Sequence, residues 1–375
     1  MKYIVIGAGI IGASAAYHLA KSGAEVILVD RGEVGQATGA AAGIVCPWLS
    51  QRRNKAWYTL ARNGARFYPS LIAGLEACGE VDTGYKKVGA LSIHTDEAKL
   101  DEVEKRVRKR HAEAPEIGEI NRLSPAQTKA LFPLLKEEYY SLHVSGAARV
   151  NGKALCHALI QAAKKYGATF ISGSAELMME RKRITGIKLA NETVWADQVI
   201  VTSGAWAKEL LAPHQIHFHV EPQKAQIVHL QVEEINTGSW PVIMAPTNQY
   251  MLAFEHGHIV VGTVTLGMVG FDIRVNAGGL HDILEKAFMI APDLVKSELL
   301  ETKVGFRPVT EGFHPVIGAV PEVEGLLLAN GLGATGLTVG PYVGSQLAEL
   351  ALGRKVTIDL TEYDVRKSLT KNERW

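Results

Sequence analysis

The sequence predicts an α/β protein in which a Rossmann-like dinucleotide-binding unit is joined to an α+β part built on a largely antiparallel sheet. Three observations carry this. Gly7, Gly9 and Gly12 form a GxGxxG loop between the apolar run Tyr3-Ile4-Val5-Ile6 and an alanine-rich stretch from Ile10 to Lys21. A second apolar run, 25–29, ends in Asp30, roughly 20 residues past the glycines as a dinucleotide fingerprint requires. Between Val220 and Thr265, runs such as IVHLQV and HIVVGTV alternate in the manner of antiparallel strands.

The first run is short and β-branched, as a buried parallel strand should be, and 10–21 has the length of a packed helix. Gly7 permits the turn, Gly9 lets backbone approach a pyrophosphate, and Gly12 lets helix and strand pack closely. Gly7, Ala8, Gly9, Ile10, Ile11 and Gly12 are therefore the candidate phosphate loop, where the helix N-terminus offers free N–H groups. Asp30, followed by Arg31, can accept hydrogen bonds from ribose hydroxyls and would repel a ribose phosphate, which argues against NADP. It does not separate FAD from NAD.

Residues 36–43, QATGAAAG, make that separation. A second small-residue loop suits an extended flavin dinucleotide, and Ala37, Thr38, Ala42, Gly43 and Ile44 are its candidate contacts. Further along, 54–78 is helix-rich, 89–94 alternates like a strand, and 96–112 reads as a charged helix. Within it, KRVRKRH is flanked by acids and reads as a solvated face laced with i,i+4 pairs. Ser124-Pro125-Ala126-Gln127 has the form of a capped helix start. Residues 152–166 are helical, and 167–171 and 195–202 read as strands. Near the far end, a strand runs into glycines 331, 333, 336 and 340, and Gly340-Pro341-Tyr342 is expected to open a helix reaching Leu352. Pointed at an isoalloxazine, that N-terminus would stabilise the charge of a reduced flavin, with Gly333, Ala334, Thr335, Gly336, Leu337 and Thr338 lying against it.

At 375 residues with 47% hydrophobic residues and a formal net charge of +1, the chain has the composition of an ordinary globular protein and none of a polyanion binder. No nucleic-acid partner is expected. Its three cysteines, Cys46, Cys78 and Cys156, form no framework, which fits a reducing cytoplasm. No apolar run is long enough for a transmembrane segment, and 1–12 reads as a first strand rather than a leader. Peripheral membrane attachment stays open. His217 and His219 alternate but have no third ligand spaced with them, so no metal is expected.

The opening fingerprint, the ATGAAAG loop, GFRPVTEGFHPVIG (305–318) and NGLGATGLTVGP (330–341) together resemble the D-amino acid oxidase superfamily, most closely its glycine oxidase branch. The resemblance spans essentially the whole chain. It implies an FAD-binding domain assembled from 1–83, 145–212 and 303–375, interleaved with a substrate domain from 84–144 and 213–302. Glu176 and Gly204 join the implied cofactor contacts, the backbone near Glu176 meeting adenine. It also implies non-covalent FAD, since no cysteine matches the C-terminal position of covalent flavin in sarcosine oxidases and Cys46 is poorly placed. Arg307 matches the arginine that holds a substrate carboxylate, Tyr250 a tyrosine whose hydroxyl helps it, and His314 is a candidate for the pocket wall.

The activity implied is oxidation of a small amino acid by hydride transfer to flavin, with imine hydrolysis and oxygen as acceptor giving hydrogen peroxide. A side-chain base is not mandatory for this, because positioning of the reacting carbon suffices. Where glycine oxidases carry a second arginine this chain has Ala334, which leaves glycine, sarcosine, other N-alkyl glycines and small D-amino acids open. A homo-oligomer, by resemblance a tetramer, is expected. Two alternatives stand beside it: a D-amino acid or proline-type dehydrogenase serving a quinone or other acceptor, and a redox sensor that binds FAD without turnover.

Overall fold

The structure, a computed structural model, describes residues 1–190, 192–234, 236–247 and 249–370. Its first sheet runs in the order Val316–Ala319, Leu326–Asn330, Gln198–Val201, Lys2–Ile6, Glu25–Asp30, Thr169–Ser172. Every neighbouring pair is parallel except the first. Ile4 pairs with Val199 on one side and Ile27 on the other, and its side chain is wholly buried, which is why the opening run carries no polar alternation.

The helices Ile10–Lys21, Gly152–Lys165 and Gly336–Ala351 pack beside this sheet, the first touching both others. The crossing of the first and last is very close: a Cβ on Gly344 would stand 2.5 Å from the Ile11 carbonyl oxygen. The last helix departs from expectation. It starts at Gly336, a turn before Gly340, and keeps Pro341 inside it. Proline has no N–H to give the carbonyl four residues back, that of Leu337, and the buried Tyr68 hydroxyl donates to that oxygen instead, at 2.5 Å.

The second sheet has eight strands, Glu298–Thr310, Val220–Gln231, His258–Thr265, Tyr250–Ala253, Val242–Met244, Ala90–His94, Tyr140–Val144 and Ile120–Leu123. All pairs are antiparallel but one, between Val242–Met244 and Ala90–His94. One face is closed by the helix Ala277–Ile290, which buries Ile283, Ala287 and Ile290 against Val228, Leu230 and Val261. The strand Glu298–Thr310 is continuous across residue 303, where the substrate and FAD segments are expected to meet, and it pairs throughout with Val220–Gln231.

Local signals behave as their chemistry requires. Asn54 caps the helix Lys55–Glu76, and Ser124 with Gln127 forms a reciprocal capping box. The basic run belongs to the helix Lys99–His111 and is only partly a solvated face. Arg108 pairs with Glu104 one turn away, as expected, but Arg106 and Arg110 turn inward to backbone carbonyls of 48–52. Among the described residues, no helix is long and apolar enough to cross a membrane.

Candidate functional site

A cavity of about 760 Å³ lies between the two sheets. The glycine loop supplies one wall. Gly7 sits at φ +100°, and a Cβ there would meet the Thr202 carbonyl oxygen at 2.6 Å; a Cβ on Gly12 would stand 1.8 Å from the Gly7 oxygen. The first and third glycines are thus required by the loop's own packing, and the Thr202 hydroxyl ties it down by donating to the Ile6 and Gly7 carbonyls at 3.0 and 2.9 Å.

Gly9 differs. Its φ of −64° suits any residue, and the nearest atom to an added Cβ is the Thr38 hydroxyl at 3.4 Å. Gly336 is the same case, with φ −50° and nothing within 4 Å. The protein's own packing demands glycine at neither position, and both line the cavity. Each adjoins the N-terminus of a long helix whose own N-cap residue offers no side-chain cap, and apart from the Ile10 amide, which the Thr38 hydroxyl takes, two positive helix ends face one cavity. Such a pair fits a group carrying a pyrophosphate at one end and a reducible ring at the other.

Asp30 stands at the end of the second strand. Its Oδ2 accepts from the Ala8 amide at 2.6 Å, and its Oδ1 from the Gly32 amide at 2.7 Å and the Gln36 amide side chain at 2.8 Å. One carboxylate thereby joins the glycine loop to the start of the second loop. Thr38 completes the joint, its hydroxyl accepting from the Ile10 amide at 3.1 Å. Arg31, also on the cavity, pairs with Glu33 at 2.7 Å and Glu209 at 3.1 Å.

The other wall comes from the antiparallel sheet. Arg307 reaches across the strand Val220–Gln231 to the third strand, where its Nη1 lies 3.2 Å from the Thr265 hydroxyl and its Nη2 3.5 Å from that of Thr263. Ala225, between them, is small enough to let it pass. The register slips between Gln226 and Ile227, and such an irregularity re-aims a side chain; Thr263 there turns its hydroxyl to the Gln226 carbonyl at 2.8 Å. Burial draws the Arg307 guanidinium down from its ordinary value, Tyr250 pushes it back up, and the positive charge of Arg52 lowers it. No acid faces it among the described residues. The Tyr250 hydroxyl is raised by burial, with Arg307 opposing.

Of the residues expected from sequence, Gly7, Gly9, Ile10, Ile11, Asp30 and Arg31 reach the cavity, as do Ala37, Thr38, Ala42, Gly43 and Ile44. Glu176, Gly204, Tyr250 and Arg307 reach it too, together with Gly333, Ala334, Gly336, Leu337 and Thr338. Ala8, Gly12 and Thr335 are not on its wall; the first two act behind it, through Asp30 and the loop packing above. His314 is also off the wall, which corrects its reading as a pocket residue. It belongs to a tight turn, its carbonyl accepting from the Thr310 hydroxyl at 2.5 Å and its ring lying against Gly312. Sequence reasoning missed Gln36, Thr202, Trp206, Ile227, Thr263 and Phe306.

A model of the family described as "DAO: FAD dependent oxidoreductase" matches residues 2–350. The chain belongs to the DAO family of FAD-dependent oxidoreductases. FAD is its cofactor, and the open glycines at the two helix ends are compatible in shape and charge with such a group. Among relatives, the uncharacterized oxidoreductase YurR of Bacillus subtilis is 58% identical over 364 residues, covering 97% of this chain and 98% of its own. The glycine oxidase of Pseudomonas putida is 29% identical over 370 residues, covering 96% and 97%. Among solved structures, iminodiacetate oxidase from Chelativorans sp. BNC1 superposes with a TM-score of 0.94 at 41% identity, over 96% of this chain and 98% of that one. Glycine oxidase from Geobacillus kaustophilus does so with a TM-score of 0.84 at 26% identity, over 97% of each.

Proposed function

We propose that this DAO-family protein oxidises small amino acids at the carbon–nitrogen bond, N-substituted glycines ahead of glycine itself. The observation that carries the reading is Arg307: an arginine with no acid partner among the described residues, steadied by two threonine hydroxyls beside the buried Tyr250 hydroxyl on the cavity wall. A planar fork of donors in that setting matches a carboxylate. Ala334, small and apolar at the place where the resemblance to glycine oxidases implies a second arginine, leaves room for a substituent on nitrogen. The 41% identity to a solved iminodiacetate oxidase, against 26–29% for glycine oxidases, favours the same preference, with iminodiacetate as a candidate substrate.

In this reading, bound non-covalent FAD supplies the two-electron acceptor for the α-carbon hydride. The protein's part is to hold and exclude. Arg307 takes the carboxylate and Tyr250 donates to it, which fixes the direction of the α-carbon. The guanidinium beside the amine disfavours a second positive charge and so favours the neutral nitrogen. Loss of the hydride and of the N–H proton leaves an imine, which water splits into a 2-oxo acid and an amine. With oxygen as acceptor, the two electrons and two protons leave as hydrogen peroxide. We assign the phosphate contacts to the loop at Gly9 and the ribose contact to Asp30.

The test is anaerobic bleaching of the flavin absorbance by iminodiacetate, sarcosine, glycine, D-alanine and L-proline, followed by air. Bleaching by N-substituted glycines with fast recovery and peroxide supports the reading. Bleaching that air does not reverse would replace oxygen by a quinone or another acceptor, and no bleaching by any amine would sink amino-acid oxidation.

A further inference from the structure

The strand Glu298–Thr310 is the last of its sheet, and among the described residues its outer side carries no further strand. Residues 298–301 are accordingly exposed. The other end is different. There the Phe306 amide donates to the Gly35 carbonyl at 2.9 Å, and Gln36 pairs with Phe306 as an isolated parallel bridge. The two segments meet flush: a Cβ on Gly35, at φ +87°, would meet the Phe306 ring at 2.5 Å, and one on Gly305 would stand 2.7 Å from the Ala40 Cβ. A close backbone seam thus joins the start of the second small-residue loop to the residue directly before Arg307.

Gln36 fastens that seam to the cofactor side. Its side-chain amide donates to Asp30 Oδ1 at 2.8 Å, beside the Gly32 amide at 2.7 Å on the same oxygen. Asp30, Gln36, Gly305, Phe306 and Arg307 all line the one cavity. The carboxylate assigned to the ribose and the guanidinium assigned to the substrate are therefore linked through one side-chain hydrogen bond and one backbone hydrogen bond. A ligand on either side holds the loop and the strand end in place. A second ligand then finds that ordering already done, which couples the two sites.

We propose that Gln36 is a positioning residue that registers the substrate-binding arginine to the cofactor, so that FAD and a carboxylate ligand each tighten the other's binding through the Asp30–Gln36–Phe306 seam. The assignment rests on the reading that Arg307 holds the substrate carboxylate. It also gives residue 36 a reason to be an amide of this length, since an apolar or shorter side chain would leave Gly35 bonded to Phe306 but loose from Asp30.

The test uses FAD-loaded wild type, Gln36→Ala, Arg31→Ala and Arg307→Ala. Each is serially diluted with and without saturating methoxyacetate, a carboxylate with no amine to oxidise, and the FAD Kd is read from the fluorescence of released flavin. Methoxyacetate should lower the wild-type Kd about 10-fold, a middling value for two coupled sites. In Q36A that effect should shrink to about twofold, the remainder being direct contact between the ligand and the flavin. R31A is the control: it breaks the 3.1 Å pair with Glu209 on the same cavity but off the seam, so it should weaken FAD and keep the wild-type ratio. A merely structural Gln36 would behave as R31A does. If Q36A shrinks the ratio less than about threefold, or if methoxyacetate leaves the wild-type Kd unchanged, the proposal is overturned. R307A keeps the two claims apart. It should abolish the methoxyacetate effect; an effect that persists there means the carboxylate is held elsewhere, and the Arg307 reading fails together with what rests on it. An effect lost in R307A but kept in Q36A leaves that reading standing and removes Gln36 from it.

Discussion

Replacing Asp30 by alanine should damage the protein twice, and the two losses can be measured apart. Without any ligand, the carboxylate already accepts three hydrogen bonds, from the amides of Ala8 and Gly32 and from the Gln36 side chain. Bonds to an ionised acceptor each contribute about 1.5–3 kcal/mol, and three sharing one partly exposed group are not additive, so a stability loss of about 2–4 kcal/mol is expected for FAD-free protein. The cofactor then loses its ribose partner, about 1.5–3 kcal/mol more, or about 10- to 150-fold in Kd. Asp30→Asn keeps one oxygen in place and should fall between. Urea unfolding of FAD-free protein reads the first term, and flavin fluorescence titration the second. If FAD-free D30A is as stable as wild type, the carboxylate does not join the two loops. If FAD affinity changes less than about threefold, it does not meet the ribose.

Arg307→Ala should lower kcat/KM for any amino-acid substrate by about 2–5 kcal/mol of transition-state binding, roughly 30- to several-thousand-fold, with flavin content unchanged; loss of flavin instead would make the residue structural. Tyr68→Phe strands the Leu337 carbonyl that Pro341 cannot serve, so thermal unfolding should reveal a loss of about 1–3 kcal/mol, and no loss would mean that water satisfies it. Burial holds His18 and His229 neutral, their values lowered from 6.5 to about 4. The unfolded chain therefore binds protons that the folded one refuses. Stability from these groups is present above pH 6.5, is lost as pH falls toward 4, and changes no further below it, up to about 3 kcal/mol for each histidine. His18→Gln should flatten the decline between those values in urea titrations, and an unchanged slope would refute the assignment.

Much of the dinucleotide half is legible in sequence because its determinants are local. A tight turn needs Gly7, and a helix leaning on that turn needs Gly12, whatever the rest of the chain does. The start of the last helix was not legible, because Pro341 dominates any local reading and the hydroxyl that compensates for it comes from Tyr68, in another helix. The substrate wall escapes for a similar reason. Thr263 matters because a slipped register turns it toward Arg307, and neither the slip nor the crossing over Ala225 has a signature in the residues themselves. Arg106 and Arg110 look like solvent-facing charges until the carbonyls of 48–52 are placed beneath them. His314 follows Arg307 closely in sequence, which makes both a pocket residue and a turn residue legible there, and the turn at Gly312 carries it off the cavity wall.

The two helix ends that face one cavity have a consequence for how the protein comes into being. On the ribosome the loop at Gly9 is made almost first, and the loop at Gly336 almost last. In between, the nascent chain has a phosphate cradle without the second helix end, so the vitamin-derived cofactor is not fully enclosed until nearly the whole polypeptide has emerged. Loading is then a late event, and a cell short of riboflavin would accumulate full-length chains with that cavity unfilled.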